Sequence, residues 1–173
     1  MKMAKKVLAV VLAGVLSLSV LTGCGGAVST MTIAGGAVST MTIADAMSEM
    51  SKGEGIVYEV DPKLNEKAGL IAEEFRRREK NDSGNKTDIY GEIMAIMGSD
   101  YADKYVWIAE TTTEGGNVTK QAANLLEDVD EYSNINSAVA RGTSPANDRS
   151  IGTVTTTMNG VDCLFAVITA DAE

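Results

Sequence analysis

Hydrophobic positions fall along this chain in three regimes. Val7 to Leu21 is an apolar run broken only by Gly14, Ser17 and Ser19, and it follows a stretch with Lys2, Lys5 and Lys6 and no acid. Residues 25–44 are uncharged and rich in small side chains. From Ile43 onward, apolar residues come in short periodic groups separated by glycines and polar turns.

Those groups predict alternating helices and strands. Ile43, Met47 and Met50 have helical spacing, which predicts a helix over residues 42–52, ended by Gly53 and Gly55. The β-branched and aromatic run at 56–60 predicts a strand. Asp61 is placed to cap a helix that opens on Pro62. Leu64, Ala68, Ile71, Ala72 and Phe75 give that helix one apolar stripe. Arg76, Arg77, Arg78 and Lys80 crowd its last turns, where cations suit the helix dipole. A solvated helix end is preferred there over an anion site.

Residues 81–85 form a turn sequence. Ile89, Ile93, Ile96 and Met97 predict a third helix, closed by Gly98. The apolar run 105–109 predicts a buried strand, with Trp107 in the core. Gly115-Gly116 breaks the chain, and Asn117 can cap a fourth helix with Val118, Ala122, Leu125, Leu126 and Val129 inward. Residues 141–149 read as a polar loop. Residues 151–157 alternate loosely, Asn159-Gly160 is a hairpin turn, and 161–169 is a buried strand.

The first regime is a secretory signal: a positive start, then an apolar stretch of fifteen residues, shorter than the roughly 20 a membrane span needs. Leu21-Thr22-Gly23-Cys24 at its end resembles the lipobox of bacterial lipoproteins. That resemblance implies cleavage between Gly23 and Cys24, acyl chains on Cys24, and a chain held at the outer face of the cell membrane. Each buried CH₂ contributes about 0.8 kcal/mol, so two or three long chains on one residue make a durable anchor. Residues 1–23 would then be the signal peptide, 24–41 the lipidated start and tether, and 42–173 the folded domain.

The tether contains a tandem duplication. Residues 25–34 read GGAVSTMTIA, and 35–44 repeat them. Two ten-residue copies cannot stack a solenoid core. Their Gly, Ser and Thr content favours a flexible spacer lengthened by duplication over a strand pair or adhesive repeat.

Composition narrows the chemistry. The leader takes three Lys, so the remainder carries 12 basic and 24 acidic residues. Such a chain repels phosphate backbones, so no nucleic-acid partner is expected. Anchoring must come from acyl chains rather than a basic patch. With Cys24 acylated, Cys163 has no intramolecular partner; its apolar surroundings predict a small buried hydrophobe. The chain has no histidine, which excludes Ser-His-Asp and Cys-His catalysis and His-ligated zinc. Glu127, Asp128, Asp130 and Glu131 lack the spacing of a calcium loop, because Tyr132 and Ser133 follow. No cofactor and no metal are expected.

The order helix, strand, helix, helix, strand, helix, hairpin resembles the CAP superfamily, the cysteine-rich secretory, antigen 5 and pathogenesis-related fold. Ser48-Glu49 through Gly55-Ile56 stands where that family has its first-helix motif, with Met50-Ser51 in place of its x-R. Leu64-Asn65-Glu66-Lys67-Ala68 and Ala72-Glu73-Glu74 match its second helix, and Ile151-Gly152 with the hairpin matches its closing strands. The implied fold is an α/β (α+β) three-layer α-β-α sandwich behind a signal helix and flexible tether.

Family members line a cleft with two His and acidic partners. The corresponding positions here are Asn81, Val106 and Glu131, so no family site residue carries over and no catalytic residue is assigned. The expected function is non-catalytic binding of an envelope component, lipid or partner protein. The alternatives are a carboxylate-based cell-wall hydrolase, which needs two carboxylates facing across a cleft, and a structural or assembly lipoprotein.

Overall fold

A computed structural model describes residues 28–32, 38–80, 89–114, 116–131 and 134–173. In order they form β1 (Val28–Thr32), β2 (Val38–Thr42), α1 (Ile43–Met50), β3 (Val57–Val60), α2 (Pro62–Lys80), α3 (Ile89–Met97), β4 (Tyr105–Thr112), α4 (Val118–Glu131), β5 (Pro145–Met158) and β6 (Val161–Ala172). Gly23, Cys24 and Asn81 lie outside the described residues. Among the described residues, no helix is long and apolar enough to cross a membrane.

Local chemistry sets most element ends. At α1, the Asp45 N–H donates to Thr42 Oγ1 at 3.1 Å and the Thr42 N–H donates to Asp45 Oδ2 at 2.9 Å, a reciprocal capping box. Asp61 Oδ1 accepts from the Lys63 N–H at 2.8 Å, just ahead of α2. Asn117 Oδ1 accepts from the Lys120 N–H at 2.9 Å, which caps α4. Asn159 and Gly160 both have positive φ, 51° and 78°, the backbone a two-residue hairpin turn requires.

The main sheet has strand order β3-β5-β6-β4. β3 runs parallel to β5, while β6 is antiparallel to both β5 and β4. The interior strand β6 shows why the fold has three layers. Its Leu164, Ala166 and Ile168 pack with Met47 of α1, Leu125 of α4, Trp107 and Ile151. Its Phe165 and Val167 point the other way, toward Leu64 and Ile71 of α2, Ile93 and Met97 of α3, and Val106. Strand side chains alternate between faces, so a strand buried on both sides reads as one unbroken apolar run. Each large side chain so buried contributes about 1.5–3 kcal/mol. The molecule is a mixed α/β sandwich, with α1 and α4 on one face and α2 and α3 on the other.

Gly152 fixes how closely α2 approaches the sheet. A Cβ at Gly152 would lie 2.1 Å from the Leu64 carbonyl carbon and 2.4 Å from the Asn65 nitrogen. Asn65 Oδ1 then accepts from the Thr153 N–H at 2.7 Å.

The structure corrects three sequence expectations. The duplicated segment contains paired strands, β1 with β2, where a flexible spacer was expected. The polar loop ends early, because β5 already begins at Pro145, with a register shift before Arg149. Pairing with β6 supplies ladder bonds that polar side chains do not advertise. Cys163 is half-buried rather than buried, because it sits near the β5–β6 turn where the covering layer thins.

Candidate functional site

The α1–α4 face carries an open concave surface. An open groove of about 610 Å³ is lined by Met50 of α1 and by Ala123, Leu126, Glu127, Asp130 and Glu131 of α4. The period of α4 places these residues beside its buried stripe of Val118, Ala122, Leu125 and Val129. The groove therefore has an apolar floor and a rim of three carboxylates. No basic residue occupies the last turn of α4, although carboxylates are disfavoured at a helix C-terminus. Asp128, between them in sequence, turns away and accepts from the Glu110 N–H at 2.9 Å.

At the end of the sheet under this layer lies a row of aromatic and basic side chains. Register places Tyr58, Arg149, Ala170 and Tyr105 side by side across four strands. The Arg149 guanidinium carbon sits 5.7 Å from the Tyr58 ring centroid and 5.2 Å from that of Trp107. Arg149 Nη1 donates to the Tyr58 hydroxyl at 3.1 Å, and its buried Nε has no hydrogen-bond partner. Trp107 in turn stacks on Tyr105, with centroids 5.5 Å apart. The Tyr105 hydroxyl donates to the Thr143 carbonyl at 2.7 Å.

Two ring faces stabilise the cation, by about 0.5–2 kcal/mol at a partly desolvated site. Burial pushes the Tyr58 hydroxyl above the usual phenol range. Arg149 and a hydrogen bond from Ser51 pull it back, and the Asp130 charge pushes it up again.

A second groove of about 400 Å³ lies between α2 and the end of α3, lined by Lys63, Glu66, Lys67, Met97, Gly98, Ser99, Asp100 and Tyr101. Its charges are mixed. Lys67 Nζ donates to the Ile96 carbonyl at 2.6 Å and so caps α3. Burial, Asp61 and Asp100 all raise the Tyr101 hydroxyl. Both Tyr58 of the aromatic row and Tyr101 of this groove are thus raised above the usual phenol range.

In the arginine cluster of α2, Arg77 and Arg78 are both held by carboxylates. Arg77 Nη2 and Arg78 Nη2 lie 2.6 Å from Glu74 Oε1 and Glu92 Oε2 respectively, and Arg78 Nε lies 3.0 Å from Glu74 Oε1. The hydrogen bond from Arg77, with help from Arg78, lowers Glu74 from the ordinary carboxylate range to about 2. Arg76 pairs with Glu73 at 3.6 Å.

Of the positions singled out in sequence, Val106 is wholly buried on the α2–α3 face, and its N–H donates to Asn134 Oδ1 at 2.8 Å. Glu131 lines the groove on the opposite face. The structure does not bring these two together. Among the described residues, no group of three or more His, Cys, Asp or Glu could hold a metal ion.

Sequence reasoning missed Arg149 because nothing in a loop-like stretch marks a cation about to cross aromatic strands. It also missed Asn136. That buried side chain donates through Nδ2 to the carbonyls of Tyr101, Ala102 and Lys104 at 3.2, 3.0 and 2.8 Å, tying the segment after α4 to the start of β4. Compared against protein-family models, curated proteins and solved structures, the chain matches none.

Proposed function

We propose that this chain is an extracytoplasmic lipoprotein, held at the outer face of the cell membrane by acyl chains on Cys24, whose degenerate CAP-like domain binds rather than reacts. Val106 carries the second half of this reading. At the position where the resemblance calls for a cleft carboxylate stands an apolar side chain with no exposed surface. The α1–α4 groove supports a ligand of matching character: positive charge beside an apolar group, set against Glu127, Asp130, Glu131 and the Met50–Leu126 floor. A membrane or wall component with amines, or a basic segment of a partner protein, has that chemistry.

Fatty-acid labelling of bacteria expressing the full chain tests the anchor. The wild type takes up label and stays with membranes, and Cys24→Ser does neither; label retained on Cys24→Ser overturns the anchor. For the domain, the detergent-solubilised full chain is incubated with purified cell wall. Retention on the wall without release of soluble fragments is expected. Fragment release abolished by Glu127→Gln or Glu131→Gln would replace the binder with a carboxylate hydrolase.

A further inference from the structure

The duplicated segment pairs with itself. β1 and β2 are the same five residues, VSTMT, drawn from successive copies of the repeat. Their register is Val28↔Thr42, Ser29↔Met41, Thr30↔Thr40, Met31↔Ser39 and Thr32↔Val38. Position one of each strand faces position five of the other, and the third positions face each other. One VSTMT thus pairs antiparallel with another, about a local two-fold through the Thr30–Thr40 pair. A true two-fold axis between identical chains uses the same geometry.

The outer edge of β1 is where that can happen. β1 and β2 form a two-stranded sheet separate from the main one, and among the described residues no third strand pairs with either. β2 runs directly into α1, and its Met41 packs on the core. Natural edges are guarded by charge or proline, but residues 25–44 contain no charged residue and no proline. An isolated two-stranded hairpin is barely stable in water, and four strands are much better.

We propose that β1 is a homotypic docking strand: two copies of this chain join β1 to β1 antiparallel across a two-fold, giving a sheet of order β2-β1-β1-β2. This goes beyond the binding role of the folded domain and does not depend on it. Membrane anchoring through Cys24 would favour it by confining copies to one surface, but the pairing itself rests only on the repeat.

Sedimentation equilibrium of the full chain in density-matched detergent tests it. The wild type is a dimer. Thr30→Lys and Thr30→Glu each place like charges opposite one another at the two-fold, and each weakens dimerisation about tenfold or more. An equimolar mixture of the two variants restores the dimer, because opposite charges now meet; chains that had merely failed to fold would not be rescued. In a Cys163→Ser background, Thr30→Cys gives a disulfide-linked dimer on mild oxidation, and Glu49→Cys on exposed α1 does not. A monomeric wild type, charge variants that dimerise normally, or weakened variants that the mixture fails to restore would each overturn the proposal.

Discussion

On the α2–α3 side of the sheet, the arginines of α2 are paired with carboxylates, although the buried Arg76 Nε has no hydrogen-bond partner. Arg76, Arg77 and Arg78 meet Glu73, Glu74 and Glu92, and Lys67 caps the end of α3. The α1–α4 side is arranged differently. Glu127, Asp130 and Glu131 crowd the unfavourable end of α4 with no basic residue in that turn, and Arg149 is held by ring faces and a phenol. The packing differs in the same sense, because α2 is pressed onto β5 through Gly152. One face is arranged for stability. The other retains costs that stability alone would have removed, and such costs collect where a surface meets a ligand.

Substitutions can break this contrast at graded strength. Gly152→Ala should act most, by about 3 kcal/mol, because backbone atoms of α2 rather than a flexible side chain occupy the space. Urea unfolding would measure it, and a loss well below 1 kcal/mol would mean that α2 yields easily. Asn136→Ala follows at about 2 kcal/mol, since three carbonyls lose a donor together. Its effect should appear in hydrogen exchange of the Tyr101–Val106 segment before it appears elsewhere.

Arg149→Ala should lower stability by about 1–2 kcal/mol through lost stacking on Tyr58 and Trp107. It should also move Tyr58 ionisation to still higher pH, because the cation that pulls it down is gone. Ultraviolet titration of tyrosinate reads this directly; an unchanged titration would uncouple the two residues.

Glu74→Gln probes the matched face through pH. Glu74 is depressed to about 2 from the ordinary 4.5, so the stability it contributes is present above about 4.5 and is lost as pH falls toward 2. The variant should show a flatter stability profile across that window. A wild-type slope there would assign the acid sensitivity to other carboxylates. The smallest effect is opposite in sign. Asp130→Asn with Glu131→Gln should stabilise α4 by about 0.3–1 kcal/mol, less at high salt, while weakening any cationic ligand. A thermal shift downward would show that these carboxylates have favourable partners.

How much of this was legible in the chain follows from the range of the forces involved. Asp61, Asn117 and the Asn159-Gly160 turn were readable because a cap or tight turn is satisfied within three residues. The stripes Leu64–Phe75 and Val118–Val129 were readable because helical period is local. The site was less legible. Glu131 appeared in sequence as a member of an acidic cluster and as the counterpart of a family site position, and its groove neighbour Met50 lies far away along the chain. Arg149 sat in a stretch expected to be a loop. The tandem repeat announced itself, yet its pairing was misjudged, since composition alone suggested a spacer.

By itself, then, the sequence determined the helices and their caps, the closing hairpin, the absence of histidine chemistry and the acidic balance, all of which depend on residue identity or near neighbours. The tertiary structure decided the rest. It set β3 parallel to β5, seated Leu64 on Gly152, turned Val106 into the core, and laid Arg149 across Tyr58 and Trp107. These depend on which distant segments pair and in what register, and a one-residue shift in register would send every side chain of a strand to the opposite face.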